Sequence, residues 1–221
     1  MTPAPANRDP GMTGLRAGPH LRSRPDPPGP DHQPLGRAFF ERHVVAVARD
    51  LVGMRLQWGR CAGRVVETEA YAAAHDPACH TATRVAARAF MRDHRPGTAY
   101  VYLNYGVHWL FNVLVKNPRD PAGDGLILIR ALEPLEGIGL MRRRRRREDR
   151  TDLCSGPGKL TSALAIDQRH HGRDVAVWRW VGGFTNGSGP LAPVGAGPRI
   201  GIRRATDYPW RFFERDNPHV S

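Results

Sequence analysis

Residues 64–80, RVVETEAYAAAHDPACH, gather carboxylates, a tyrosine, two histidines and a cysteine in one short run. Val65, Val66 and Thr68 favour a strand. Side chains alternate along a strand, so Glu67, Glu69 and Tyr71 share one face and Val66, Thr68 and Ala70 the other. A carboxylate at a strand end beside an aromatic wall can act as a general base for a water within hydrogen-bond reach. A solvated strand edge accounts for the two glutamates equally well. His75, Asp76, Cys79 and His80 are metal-ligand types. H-D-P-A-C-H nonetheless lacks the spacing of H-E-x-x-H, and no second cluster supplies further ligands, so no metal is expected. His80 reads as a histidine that bonds substrate or water, and His75 as a surface residue.

A second set lies in YVYLNYGVHWLFN, residues 100–112. Tyr100 and Tyr102 share a strand face. Asn104-Tyr105-Gly106 marks a hairpin turn with an aromatic at its tip. Such a tyrosine is either packed back on the hairpin or is a wedge for a base stack. Asn112 is an amide within a run of Leu, Phe and Val: a satisfied core group or a pocket residue. In LCSGPGKLT, residues 153–161, the G-K pair suggests a phosphate loop. The match fails, because Leu153 stands at the first glycine position and Leu160 follows the lysine. What survives is a small-residue helix entry with Lys159, which favours an anion such as a DNA phosphate. Arg142 to Arg147 would cover every face of a helix, which excludes a membrane-lying amphipathic helix and leaves a phosphate contact or a solvated charge run.

The elements that must position these residues follow from periodicity. FFERHVVAVARDLVG, residues 39–53, predicts a helix stopped by Gly53. MRLQWGRCAGRVVETEAY predicts two strands about a turn; TAYVYL and VHWLFNVLV predict a hairpin; LILIRALEP predicts another strand. LEGIGLMRRRRRRED and SGPGKLTSALAI predict helices, and DVAVWRW and PRIGIRRA late strands. This pattern is α+β with a mostly antiparallel sheet. Residues 1–34 are rich in Pro, Gly and Arg and predict a disordered basic tail, leaving one domain over 35–221.

The chain of 221 residues carries a formal net charge of +12 with a pI near 10.8, a balance that points to nucleic acid or another polyanion. Only Lys116 and Lys159 are lysines, so 31 of the 33 basic residues are arginines. Three cysteines without a C-x-x-C exclude a disulfide framework. No apolar leader and no apolar run of membrane-spanning length is present, so a soluble, cytoplasmic protein, nucleoid-associated if bacterial, is expected.

VETEAY, DPACH, PGTAYVYLNYG, LIRALEPLEG, LCSGPGKL, PRIGI and PWRF occur in this order from about Leu35 to Ser221. Together they resemble the alkyladenine (3-methyladenine) DNA glycosylase family, the compact α+β type of animals and bacteria. The resemblance implies one domain with a curved antiparallel sheet, flanking helices and a protruding hairpin. It also implies base excision: a damaged purine is flipped from double-stranded DNA and its N-glycosidic bond hydrolysed, leaving an abasic site. Glu69 would activate the water, with Glu67 supporting. Tyr71, His80 and Tyr102 would line the base pocket, and Asn112 would help exclude guanine. Tyr105 would be the wedge, and Arg130 would hold the flipped nucleotide near its phosphate. No cofactor, no membrane and a monomer are expected. An additional strand-cutting activity needs an amine nucleophile, and neither lysine lies in the pocket motifs, so a monofunctional enzyme is expected. The chain departs from the family pattern at residues 81–95, read as a loop near DNA, and in the run Ala72, Ala73, Ala74. Two other readings remain at this point: a non-catalytic nucleic-acid-binding module of the same fold, and a metal-dependent nuclease built on Glu69, His75, Asp76 and His80.

Overall fold

The computed structural model describes residues 32–177 and 182–221. Residues 1–31 of the predicted tail lie outside the described residues. Gln33 and Leu35 already hydrogen-bond to Asn186 and Phe184 (2.9 and 3.1 Å).

Two strands of twelve residues, β2 (Cys61–Ala72) and β5 (Gly125–Glu136), pair antiparallel and form the spine of the sheet. Outward from β5 lie β4 (His108–Val115) and β3 (Ala99–Asn104). Outward from β2 lie β1 (Arg55–Trp58) and β6 (Gly182–Thr185). The last strands, β7 (Val194–Gly197) and β8 (Arg211–Glu214), pair with each other, and β8 joins β2 over Glu67–Glu69. Among the described residues, eight strands form one curved antiparallel sheet, and with five α-helices they make a single α+β domain.

The sheet has two differently furnished faces. Val101, Phe111, Val113, Ile127, Ile129 and Ala70 point into the main core with Phe40, Val47, Leu51, Trp58 and Phe184. Helix α1 (Val44–Asp50) and helix α5 (Pro157–Leu164) belong to this side. The other face carries a register row of Tyr100, Asn112, Leu128, Glu69 and Arg211, one residue from each of five adjoining strands. Register shifts between β2 and β5 fall at Val65–Glu67 and Glu67–Thr68, and such irregularities re-aim nearby side chains.

Four predicted elements differ from expectation. The helix predicted over 39–53 is a 3-10 turn, Arg37–Phe40, followed by α1, because His43 takes an extended backbone and caps α1 by accepting the Val45 N–H. Gly53 does end that segment, at φ 90°, where a side chain would meet the backbone of Pro190. Residues 81–95 are not a loop. They form α2 (His80–Thr83) and α3 (Val85–Asp93), and Ala87, Phe90 and Met91 of α3 make a second core with Tyr100, Leu114 and Leu126. That i, i+3, i+4 spacing on good helix formers is the helical signal. PRIGIRRA is not a strand, because the Ile200 N–H turns to a side chain, Glu69, and Gly201 adopts φ 76°. Of DVAVWRW, Asp174 makes one bridge to Thr98, and residues 178–180 lie outside the described residues. The helix after β5 is α4 (Ile138–Arg145).

Thr68 ties the spine to α1 from within the core: its hydroxyl donates to the Ala48 carbonyl at 2.7 Å. Carbonyls in a last helical turn lack partners within the helix. Thr68→Val keeps the shape and removes this donor. It should lower stability by about 1–2 kcal/mol, read as an earlier midpoint in urea with an unchanged slope.

Candidate active site

The two glutamates of β2 are fully buried, which overturns the solvated-edge reading. Glu69 Oε1 accepts the Ile200 N–H at 2.7 Å and lies 3.3 Å from an Arg130 terminal nitrogen. Its Oε2 accepts the Tyr71 hydroxyl at 2.7 Å. Burial and the Glu69 carboxylate push the Tyr71 phenol far up, so it is a fixed donor at any physiological pH. Glu67 accepts from Arg130 Nε (3.2 Å), Arg211 (2.9 Å) and both the N–H and hydroxyl of Ser221 (2.9 and 2.6 Å). Arg130 therefore sits between the two carboxylates, and its third nitrogen donates to the Ser221 hydroxyl at 3.0 Å.

Along the same face, α2 begins at His80, whose ring meets Tyr102 edge-on at 4.4 Å and whose Nδ1 lies 3.2 Å from the Tyr100 hydroxyl. Burial, helped by Arg84, pushes the His80 imidazole down to about 4, so the ring is neutral near pH 7. Burial, then Tyr100, pushes the Tyr102 phenol up to about 12. Asn112 is buried and donates to the Tyr100 carbonyl at 3.3 Å. Glu69, Tyr71, His80, Tyr102, Asn112 and Arg130 are thus brought to one face.

Tyr105 and Lys159 lie apart from that group. Tyr105 is 87% exposed at the tip of the β3–β4 hairpin. Val107 N–H bonds back to the Asn104 carbonyl, and Tyr105 and Gly106 have φ of 49° and 71°, the positive values a type I′ turn requires. Leu103 and Val107 flank it, both exposed. Lys159 stands in the first turn of α5, bonded to Asp152 (2.6 Å) and Ser155 (3.2 Å). Gly158 beside it faces His108, the β4 residue next to the hairpin turn, where a side chain would come within 2.9 Å of the imidazole. Lys159 and the hairpin are therefore neighbours.

Sequence reasoning missed Arg199. It is 5% exposed and forms a two-pronged pair with Asp76 (2.5 and 2.9 Å). It also lies over the rings of Tyr71, Trp210 and Tyr208 at 4.6, 5.3 and 5.9 Å. This clamps the loop that supplies the Ile200 N–H to Glu69. The clue was PRIGI itself, an arginine next to a glycine turn, but nothing local pairs it with Asp76. His75 is exposed, as expected, whereas Cys79 is buried with its thiol toward the Tyr71 carbonyl. Among the described residues no three His, Cys, Asp or Glu side chains converge as a metal-binding group. Nor is any helix among them long and apolar enough to cross a membrane.

A buried carboxylate heading an aromatic-lined face, with a hairpin that carries an exposed tyrosine, on a strongly basic chain, marks a protein that handles bases of nucleic acid. A family model for methylpurine-DNA glycosylase (MPG) matches residues 38–218, and the chain belongs to that family. It is 41% identical over 199 residues to a protein of Rhodopseudomonas palustris (strain HaA2), covering 88% of this chain and 93% of the other. It is 45% identical over 191 residues to one of Burkholderia lata, covering 85% and 90%. Both carry the name "Putative 3-methyladenine DNA glycosylase".

Two outcomes follow from the geometry. A tyrosine at positive φ is strained by about 1–2 kcal/mol, and asparagine tolerates that conformation. Tyr105→Asn should therefore raise the melting temperature while weakening binding to a lesion-bearing duplex by about 1–3 kcal/mol, the scale of one stacked aromatic. His80 has a native pKa below its unfolded value of 6.5. Its stabilising contribution is present above pH 6.5 and is lost as pH falls toward 4, because the unfolded chain binds a proton the native ring refuses. Thermal unfolding across that window should show a shallower loss for His80→Gln than for the natural chain.

Proposed function

We propose that this protein is a DNA repair glycosylase that hydrolyses the N-glycosidic bond of damaged purines flipped out of double-stranded DNA. The observation that carries the reading is Glu69. A carboxylate offers about four acceptor positions. Oε1 serves Ile200 and Arg130, and Oε2 serves Tyr71; one Oε2 acceptor position has no described partner, and in this reading it takes the water that enters the buried site with the flipped nucleotide. Tyr71, His80 and Tyr102 stand beside it as aromatic walls. Electron-rich rings favour a cationic alkylated purine.

In the step we propose, the water oxygen bonds to C1′ of the deoxyribose while the C1′–N9 bond breaks. The bond pair moves to the purine, where it neutralises the positive charge left by N3 or N7 alkylation. The water proton passes to Glu69. Neutral His80 can accept or donate one hydrogen bond to the base without adding charge. Tyr105 would fill the gap in the stack, Asn112 would crowd the exocyclic amine of guanine, and Lys159 would meet a backbone phosphate. For Arg130 the carboxylates are the partners the geometry supports, and its phosphate role would be secondary. The same reading makes the protein a monomer acting in the cytoplasm, on the nucleoid if bacterial, over a catalytic domain of residues 35–221 with a basic tail ahead of it.

Glu69→Gln tests the carboxylate. Release of 3-methyladenine or 7-methylguanine from alkylated duplex should fall by about 10²–10⁴-fold while duplex affinity persists; full release by the variant would remove Glu69 from the role. Tight, salt-sensitive binding with no release of any lesion by the natural chain would instead mark a non-catalytic binding module. The enzyme should also be monofunctional. Lys159 is held by Asp152, and Lys116 donates to the Arg92 carbonyl, so borohydride should trap no covalent complex with abasic DNA.

A further inference from the structure

Glu67 is a fully buried carboxylate two residues from Glu69, and its environment is more elaborate than that of a spacer. Four groups donate to it: Arg130 Nε, Arg211, and the N–H and hydroxyl of Ser221. Arg130 is 6% exposed and is shared, with Nε on Glu67 and a terminal nitrogen on Glu69. Arg211 is anchored separately, by its Nε on the Pro198 carbonyl and by its guanidinium over the Phe213 ring at 4.5 Å. Two carboxylates and two guanidinium groups are therefore packed together with no net charge.

From this geometry, and resting on the glycosylase reading of Glu69, we infer that Glu67 is a positioning residue: it holds Arg130 off Glu69 and keeps the charge beside the reacting sugar balanced. Arg130 has five N–H donors in a rigid fork. With Glu67 present, one edge of the fork is committed away from Glu69, and only one terminal nitrogen reaches it, at 3.3 Å. Without Glu67 the fork is free to close on Glu69 in the two-pronged geometry that arginine and carboxylate prefer, and this would take the acceptor position left for water. The same loss leaves one uncompensated positive charge in a buried site. Cleavage of a glycosidic bond builds positive charge on the deoxyribose, and that charge would be opposed. Glu67 touches neither water nor base in this scheme; it acts through Arg130.

The test is single-turnover base release from a duplex with one 7-methylguanine, together with affinity for an abasic-site analogue. Glu67→Gln should slow release at least tenfold with affinity changed less than threefold. Adding Arg211→Met to Glu67→Gln restores neutrality and should recover at least threefold of the lost rate. A purely structural Glu67 would instead give losses that multiply. A rate for Glu67→Gln within twofold of the natural chain, or multiplying losses in the double variant, would overturn the inference. Should Glu67→Gln alone not fold, the double variant compared with Arg211→Met carries the same test: equal or faster release supports the charge role, and a further tenfold loss overturns it. If the natural chain releases no base at all, the glycosylase reading falls. The link through Arg130 is then judged by melting Glu67→Gln, Glu69→Gln and their combination. A combined loss larger than the sum supports shared dependence on Arg130, and simple additivity overturns it.

Discussion

The site depends on a charge set that the sheet buries whole. Glu67 and Glu69 are inaccessible to solvent on the central strand, and Arg130 reaches both from the strand paired with it. Moving an isolated carboxylate out of water is expensive, and the attraction of a partner offsets this only when geometry is good and remaining acceptors are filled. Here all but one of the remaining acceptor positions are taken up by Arg211, Ser221, Ile200 and Tyr71. Those four donors come from β8, the chain beyond it, the loop before it, and the end of β2. The requirement to satisfy two carboxylates therefore fixes how the last part of the chain returns to the spine.

The sheet separates tasks by face. One face packs apolar side chains against α1 and α5. The other presents the carboxylates, and its exposed half is closed by α2 and α3. Phe90 and Met91 of α3 pack on Tyr100, Leu114 and Leu126, and His94 stacks on Phe90 at 4.2 Å. Tyr100 in turn meets His80. Residues 85–93 are thus the backing of the aromatic wall through Ala87, Phe90 and Met91, while Arg92 and Asp93 pair with each other on the exposed side.

How much of this was legible follows from sequence distance. Alternation on β2 put Glu67, Glu69 and Tyr71 on one face correctly, and Asn104-Tyr105-Gly106 gave a turn with an exposed aromatic, because both signals are local. The burial of Glu67 was not legible. Its partners Arg130, Arg211 and Ser221 lie 63, 144 and 154 positions away. Arg199 and Asp76, separated by 123 positions, were missed for the same reason. PRIGI was misread as a strand because its apolar alternation is real, while its backbone hydrogen bond goes to a carboxylate rather than to a neighbouring strand. The helical period of residues 85–93 is local, with Ala87, Phe90 and Met91 at i, i+3 and i+4, but their partners Tyr100, Leu114 and Leu126 lie on separate strands.

The arginine excess also has a different meaning in three dimensions. Arg55, Arg64, Arg130 and Arg199 are all buried and all paired with carboxylates: Glu136, Glu133 with Glu214, Glu67 with Glu69, and Asp76. In the six-arginine run, Arg144 donates to the Ala163 carbonyl, Arg145 to the Leu153 carbonyl, and Arg142 to the Glu148 carbonyl. Part of the arginine content is thus structural, while the net charge of +12 is carried by arginines outside these buried pairs. Lysine would not serve in these places. A buried ammonium tends to lose its proton, whereas guanidinium stays charged and can reach two carboxylates through separate nitrogens. A chain with two lysines and 31 arginines uses that property to place permanent charge inside its sheet, with Arg130 set between Glu67 and Glu69.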